Sequence, residues 1–411
     1  MLDRDTMHGI LGISEAYQMP EALLSVMLDD ERRNTVLDLV ASSTDDLNYD
    51  GFTTYFQDEH GDRDALKQDF TPKALCDLVA EMAGEHDAYL DACAGTGGLT
   101  ISIWARHPKA FYRCEEYSSR TIPVLLLNMA MRNMSGEVIR KDVLTGEVFA
   151  IYRLESGERF SSITQVESMD DIRFPVCVQN PPYSLKWDGM ARQWLRYGVP
   201  PKSKADYAFV QYGLAHADRT IAILPHGVLF RGSAEGLIRE QLLKSSMIHA
   251  IVGLPDKLFL HTGIPVCIMD VGKGDGSICV INADELFEKE GKQNVMQPNH
   301  VRDVLSCLSM RLDVKGLCHV AGMDEVESNG YNLNIPRYVD RYEEPEIPDI
   351  KSTLAELCDL NKQIQKVEHS LLNSIKKLVG TTDEAEKEVE QLKSGFEKYI
   401  ESKGGQMAWK I

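Results

Sequence analysis

Three short stretches of this 411-residue chain carry residue types at spacings that suit chemistry. The first is Asp91-Ala-Cys-Ala-Gly95-Thr96-Gly97-Gly98, which ends an apolar run and opens a helical one. Glycines there let main chain approach a ligand closely, and free N–H groups at a helix start favour a polar or anionic group. A tight turn without a ligand would use the same residues. The second is Glu115, at the end of the next apolar run. In a nucleotide-type fold an acid at that place accepts hydrogen bonds from ribose hydroxyls. A solvated loop residue is the plain alternative, and the adjacent Glu116 leaves open which acid points inward. The third is Asn180-Pro181-Pro182-Tyr183, directly after the apolar VCVQ. Two prolines fix the backbone and remove two N–H donors. Carbonyls without local partners then lie beside an Asn side-chain carbonyl and a flat Tyr ring. Such a set suits a planar substrate with an NH₂ group: acceptors for the amino hydrogens and a face to stack on.

These residues need a frame. From about residue 70 to 272, short apolar runs at 88–92, 110–115, 138–139, 176–179, 220–224, 248–254 and 266–271 alternate with helical patterns such as SRTIPVLLLNMAMRNM and AEGLIREQLLKS. That alternation predicts a mostly parallel sheet with helices on both faces and ligands at the carboxyl ends of strands. Upstream, Leu23, Leu24, Met27 and Leu28, then Val36, Leu37, Leu39 and Val40, have helical spacing, and a polar, turn-rich stretch bridges onward. Residues 273–350 read as a mixed tail ending in RYEEPEIPDI. Beyond it, Leu357, Leu360, Ile364, Val367, Leu371 and Leu378 recur at spacings of three, four or seven. Val389, Leu392, Phe396 and Tyr399 follow after a break at Gly380-Thr-Thr-Asp383. Two helices, or a helical hairpin, of coiled-coil character are predicted.

Lys plus Arg is 44 against 63 Asp plus Glu, a net charge of −19. That balance argues against a protein that grips DNA alone, because phosphate binding rests on Lys and Arg. One stretch departs from it. Lys186, Arg192, Arg196, Lys202 and Lys204 face a single acid, Asp188, with Trp187, Trp194 and Tyr197 interleaved. It reads either as a DNA-facing surface or as a solvated helix face with buried aromatics. His226, in LPHG, reads as structural or substrate-lining rather than catalytic. The nine Cys form no Cys-x-x-Cys pair and are odd in number, so neither a metal site nor a disulfide framework is expected. A reducing cytoplasm is the expected location. The start, MLDRDTMHGILG, does not read as a secretory signal, and no run of about 18 apolar residues suggests a membrane span.

Asp-x-x-x-Gly-Thr-Gly-Gly followed by Asn-Pro-Pro-Tyr resembles the S-adenosylmethionine-dependent amino-methyltransferases, especially those acting on adenine N6 in DNA. The nearest likeness is to the modification (M) subunits of type I restriction–modification systems. Gln68-Asp69-Phe70-Thr71-Pro72, LPHGVLFRGSAEGLIREQLL, GLPDKLFLHTGIPVCIM and YNLNIPRYVD are similar to stretches of those subunits. The likeness covers roughly residues 66–345 and is looser in the C-terminal helices. It implies an α/β, Rossmann-like methyltransferase fold with a mostly parallel seven-stranded sheet. The implied layout is an N-terminal helical region at 1–66, a catalytic domain at 67–345 and coiled-coil-like helices at 346–411.

Carried over residue by residue, the resemblance implies that Phe70, Thr71 and Pro72 line a pocket for S-adenosylmethionine. It implies that Asp91, Gly95 and Gly97 form the loop round the methionine part, with Thr96 and Gly98 also binding the cofactor. Glu115 would hold the ribose hydroxyls, and Asp142 would lie near the cofactor's adenine amino group. Asn180, also beside the cofactor, would form the catalytic set with Pro181, Pro182 and Tyr183 and hold the target base. Departures are modest: Leu99 stands where an aromatic or Met is common, and Ala94 where Cys or Gly is usual. The N-terminal helical region is shorter than in many relatives.

The implied activity is N6 methylation of a flipped adenine in double-stranded DNA. The implied partners are a specificity (S) subunit, a second M copy and a restriction subunit. The C-terminal helices either pack within the chain or dock on the specificity subunit. Other readings are a solitary DNA methyltransferase, a protein-glutamine or RNA amino-methyltransferase of the same fold, and a non-enzymatic DNA-binding or assembly protein. On the first reading the acidity becomes a reason to expect a partner that supplies grip and sequence reading.

Overall fold

The computed structural model describes residues 4–43, 46–51, 71–259, 263–291, 293–340 and 349–404. The chain divides into two compact units, Met1–Arg341 and Tyr342–Ile411. Phe70 and the Gln68-Asp69 before it lie outside the described residues.

The first unit is built on a sheet. Its strands are β1 (Ala88–Ala92), β2 (Phe111–Glu116), β3 (Ser135–Lys141), β4 (Val148–Glu155), β5 (Ser162–Val166), β6 (Phe174–Gln179), β7 (Ala217–Pro225), β8 (Ile248–Gly253), β9 (Val266–Gly272) and β10 (Ile278–Asn282). After β11 (Glu288–Glu290) and β12 (Gln293–Val295), which form a two-stranded sheet of their own, β13 (Cys318–Ala321) returns to the main sheet. The order is β13-β10-β8-β9-β7-β6-β1-β2-β3-β4-β5. Its middle, β8-β9-β7-β6-β1-β2-β3, is the seven-stranded sheet that the resemblance implies, with β9 antiparallel to both neighbours. The expected strand number is corrected from seven to eleven. β4 and β5 add antiparallel strands at the β3 edge, and β10 and β13 extend the β8 edge. The β4–β5 ribbon lies at an edge and exposes residues such as Val148 and Phe149, so its apolar pattern is weak. β9, covered on both faces, has every residue buried.

The helices of this unit are α1 (Arg4–Leu11), α2 (Met19–Met27), α3 (Asp30–Ser42), α4 (Lys73–Ala83), α5 (Gly98–Trp104), α6 (Ile122–Met131), α7 (Asp206–His216), α8 (Ser233–Lys244), α9 (Pro298–Met310) and α10 (Met323–Ser328). α6, IPVLLLNMAM, is apolar nearly all round and completely buried. Such a helix needs cover on its outer side as well as on the sheet side. α2 and α3 supply it with Leu23, Met27, Leu37 and Val40. α3 starts at Asp29, whose side chain accepts from the Arg32 N–H at 3.0 Å. Truncating Leu37, which has no exposed surface, should cost about 2–5 kcal/mol.

The second unit consists of α11 (Ile350–Ile375) and α12 (Asp383–Gly404), which pack on each other. The break between them includes Gly380, as the sequence suggests. Among the described residues no helix is long and apolar enough to cross a membrane.

Candidate active site

Three strand ends meet where the strand order reverses. Asp91 on β1 pairs with Cys114 on β2 and with Val178 on β6, so the carboxyl ends of these parallel strands are level. Open α/β sheets bind ligands at such a switch point. β1 runs into the glycine turn, β2 ends in Glu115-Glu116, and β6 runs into Asn180-Pro181-Pro182-Tyr183. These segments enclose a cavity of about 360 Å³. Of the residues singled out in the sequence, Thr71, Gly95, Thr96, Gly98, Glu115, Asp142, Asn180, Pro181, Pro182 and Tyr183 line it. Asp91, Gly97 and Pro72, expected at the cofactor, are outside that lining, and Pro72 borders a neighbouring cavity instead. Pro72 caps α4, and its carbonyl accepts from Leu75 and Cys76 N–H at 3.0 Å.

The glycine turn is held from behind. Gly97 has φ +97°, and a Cβ there would lie 2.9 Å from Leu125 Cδ1, so only glycine fits. Thr96 Oγ1 donates to Asp50, and Asn128 Nδ2 donates to Asp50 Oδ1 (3.0 Å) and to the Thr96 carbonyl (2.8 Å). Arg132 donates to the carbonyls of Leu47 (2.6 Å) and Tyr49 (2.8 Å). Residues 47–50 are thereby stitched to the loop. Sequence reading missed Asp50, Asn128 and Arg132. Their signal is a polar Asn inside an otherwise apolar helix.

Asp91 is buried and accepts from Thr100 Oγ1 at 2.7 Å, while its Oδ1 has no hydrogen-bond partner among the described residues. Burial pushes its pKa up to about 7; the Thr100 bond opposes this, and the Glu116 carboxylate reinforces it.

Both acids at the end of β2 line the cavity, with different partners. Glu115 accepts from the Tyr212 hydroxyl at 2.5 Å and from Lys141 Nζ at 3.3 Å, and Lys141 also donates to the Tyr212 oxygen at 2.6 Å. Glu116 accepts from the Gly95 N–H (3.0 Å) and the Ser118 N–H (2.8 Å). Burial raises its pKa against those main-chain donors. Tyr117, half exposed and also in the cavity wall, has its ring 6.0 Å from Phe149 in an edge-on contact. Lys141, Tyr212 and Tyr117 were not foreseen, although Lys141 directly precedes Asp142. The Asp142 carboxylate accepts from the N–H groups of Leu144 (2.9 Å) and Thr145 (3.3 Å), closing the turn after β3.

Asn180 Nδ2 donates to Thr71 Oγ1 at 2.9 Å, and Asn180 Oδ1 accepts from the Tyr183 hydroxyl at 2.8 Å. The Tyr183 ring meets Phe259 edge-on at 6.1 Å. Among the described residues no donor reaches the Pro181 carbonyl. The stretch after the motif is irregular, which removes the helix-face reading. Lys186, Arg196 and Lys202 are exposed, while Trp187 and Trp194 are half-buried. Trp187 Nε1 donates to the Pro201 carbonyl (3.0 Å), and Trp194 packs edge-on against Tyr212. His226 stands outside the cavity lining, its main-chain N–H on the Pro265 carbonyl at 3.0 Å.

The family model for N-6 DNA Methylase matches residues 46–346. The chain belongs to that family. The resemblance read from the glycine turn and Asn-Pro-Pro-Tyr is thus borne out, and the matched stretch includes the Leu47–Asp50 stitch. The type I restriction enzyme MjaVII methylase subunit of Methanocaldococcus jannaschii is 28% identical over 324 residues, which cover 74% of this chain and 54% of that protein. The type I restriction enzyme MpnII methylase subunit of Mycoplasma pneumoniae is 26% identical over 337 residues, 75% of this chain and 60% of that one. The chain therefore spans little more than half the length of these curated relatives. A crystal structure of the type I restriction-modification system methyltransferase subunit from Streptococcus thermophilus shares the fold, with a TM-score of 0.60 and 24% identity over 82% of this chain and 80% of that chain.

The residues of this family member fit a ligand that brings a cationic amine and vicinal hydroxyls. Gly95 and Gly98 line the cavity, two carboxylates stand in its wall, and the buried Asp91 Oδ1 has no donor among the described residues.

Proposed function

We propose that this cavity transfers a methyl group from S-adenosylmethionine to the N6 amino group of an adenine flipped out of double-stranded DNA. On this reading the chain acts as the modification subunit of a type I system beside a specificity subunit. The observation that carries it is the Asn180 amide, clamped by Thr71 and Tyr183 beside the Pro181 carbonyl, which no donor among the described residues reaches, in the cavity that the glycine turn also lines.

An adenine amino group is a poor nucleophile, because its lone pair is delocalised into the ring. Asn180 Oδ1 and the Pro181 carbonyl accept its two hydrogens. That favours a pyramidal nitrogen with its lone pair directed away from the ring. When bound, the cofactor supplies an electrophilic methyl on a sulfonium. Thr71 lines its pocket, the Gly95–Gly98 turn and Asp91 hold its amino-acid end, and Asp142 borders its adenine. Ribose hydroxyls go to the acids at the end of β2. Glu115, the acid expected for this task, is paired with Lys141, whereas among the described residues Glu116 meets only main-chain N–H groups and is the freer acceptor. The protein's part is positioning and preorganised hydrogen bonding. Flipping costs a few kcal/mol, and stacking on the Tyr183 ring offsets part of it.

Two further observations support the partner and the DNA. Ile350, Leu357, Ile364 and Leu371 recur at heptad spacing on α11 and remain 46–74% exposed, a row suited to another subunit's helices. Exposed Lys186, Arg196 and Lys202 follow the motif in a chain of net charge −19, so the positive charge sits beside the site. The test is transfer of labelled methyl to DNA by the chain with a co-expressed specificity subunit, followed by nuclease digestion. Label released as a nucleoside is expected; label retained in protein, or released only by ribonuclease, would exclude DNA as substrate.

A further inference from the structure

Asp206, in the first turn of α7, has no exposed surface and stands outside the cavity lining, yet it is tied to the exit of the Asn-Pro-Pro-Tyr loop. Its Oδ1 accepts the N–H of Ser184 at 2.7 Å. Ser184 directly follows Tyr183 and has φ +51°, a left-handed conformation that is costly for a residue with a Cβ and persists only where its surroundings enforce it. The other oxygen of Asp206 accepts from Arg231 Nη1 at 3.0 Å, and the same nitrogen donates to Glu235 Oε1 at 3.1 Å. Arg231 lies between β7 and α8, and its own N–H bonds to the Gly227 carbonyl at 2.9 Å. A Cβ on Gly227 would fall 2.2 Å from Arg231 Nε, so glycine leaves the space in which the guanidinium lies. Arg239 holds the Arg231 carbonyl from the far side at 3.0 Å. The start of α7, the loop after β7 and the first turn of α8 therefore converge on one strained turn.

We propose that the Asp206–Arg231 pair positions the methyl-transfer loop: by holding the left-handed turn at Ser184 it fixes the attitude of the Tyr183 ring and of the Tyr183 hydroxyl on Asn180. The inference rests on the function proposed above. Arg231 also separates two buried carboxylates, Asp206 and Glu235, which would otherwise repel. Nη1 serves both carboxylates while Nη2 lies 3.5 Å from the Ser184 hydroxyl, and a Lys at this place keeps the charge but not the second nitrogen. Released from the pair, Ser184 returns to an ordinary backbone conformation and Tyr183 turns with it. Neither residue touches substrate in this account; both act through Ser184.

The test compares Arg231→Gln and Arg231→Lys with the wild type, in the full chain with its partner subunit. At saturating DNA and cofactor, kcat should fall at least about tenfold, the scale set by a misplaced reacting group, with cofactor Kd within about twofold of wild type. The Ser184 amide should lose its hydrogen-exchange protection, and the Lys variant should recover part of both losses. A kcat within about twofold of wild type, or a loss carried wholly by cofactor affinity, overturns the proposal. If Arg231→Gln does not fold, Arg231→Lys carries the same comparison. If the wild type methylates no DNA, the proposed function fails and the brace is judged on exchange alone: protection lost in the variant upholds it, and protection unchanged overturns it.

Discussion

The hydroxyl of Tyr183 donates to Asn180 Oδ1 at 2.8 Å, three residues back along the same loop. With Thr71 accepting from Asn180 Nδ2, both ends of the amide are fixed. On the proposed function Tyr183 has two separable contributions, a ring for the base to stack on and a hydroxyl that orients Asn180. Tyr183→Phe should keep the ring and slow single-turnover methyl transfer about fivefold, the worth of roughly 1 kcal/mol for one hydrogen bond. Tyr183→Ala should lose a further 1–3 kcal/mol or so of stacking, read as weaker 2-aminopurine fluorescence at the target position. Equal rates for wild type and Phe would show that the hydroxyl does not orient Asn180.

Asp91 makes stability depend on pH. Its folded-state pKa of about 7 lies above the usual carboxyl value because it is buried, with Thr100 opposing and Glu116 reinforcing. Between about pH 4 and pH 7 the folded form keeps a proton that the unfolded chain has lost, so stability from this group is present at low pH and withdrawn as pH rises through that window. Thermal unfolding of wild type and Asp91→Asn should diverge there, the wild type losing stability relative to the variant as pH rises. Parallel curves would mean that Asp91 is not protonated by burial.

The two acids of β2 should separate in their effect on cofactor binding. Glu116→Gln weakens cofactor affinity by about tenfold or more, the loss of one or two charge-assisted hydrogen bonds. Glu115→Gln leaves Lys141 without its carboxylate beside the cavity and costs mainly stability. Calorimetric titration and thermal unfolding on both variants decide; a Glu115 variant that binds worse and unfolds normally would return the ribose to Glu115.

The apolar row of α11 should matter for assembly alone. Leu357→Glu with Ile364→Glu introduces charge into an exposed stripe. Co-purification with the specificity subunit should be lost, and cofactor affinity should stay at the wild-type value. Retained co-purification would place the partner elsewhere.

Much of the site was legible because its residues are sequential. The glycine turn follows β1 at once, and Asn180 follows β6 at once, so strand pattern and motif locate each other. What sequence reading missed is held by long-range contacts. Asp50 reaches Thr96 across 46 residues, and Asp206 reaches Ser184 across 22. Neither bond leaves a trace in local periodicity. Glu115 and Glu116 are adjacent, so only the alternation of the strand separates their partners. The Lys186–Lys204 stretch has basic and aromatic spacing that mimics a helix, but Gly189, Gly198, Pro200 and Pro201 keep it irregular. β4 and β5 were missed because they sit at the sheet edge with one face partly exposed.

The most direct measurement is nucleoside analysis of DNA treated with the chain and its specificity partner, run in parallel for wild type and Asn180→Ala. The account predicts N6-methyladenine with the wild type and none with the variant, which still binds S-adenosylmethionine with normal affinity. Methyl groups on cytosine, or an Asn180→Ala variant that makes N6-methyladenine at a near-normal rate, would contradict it.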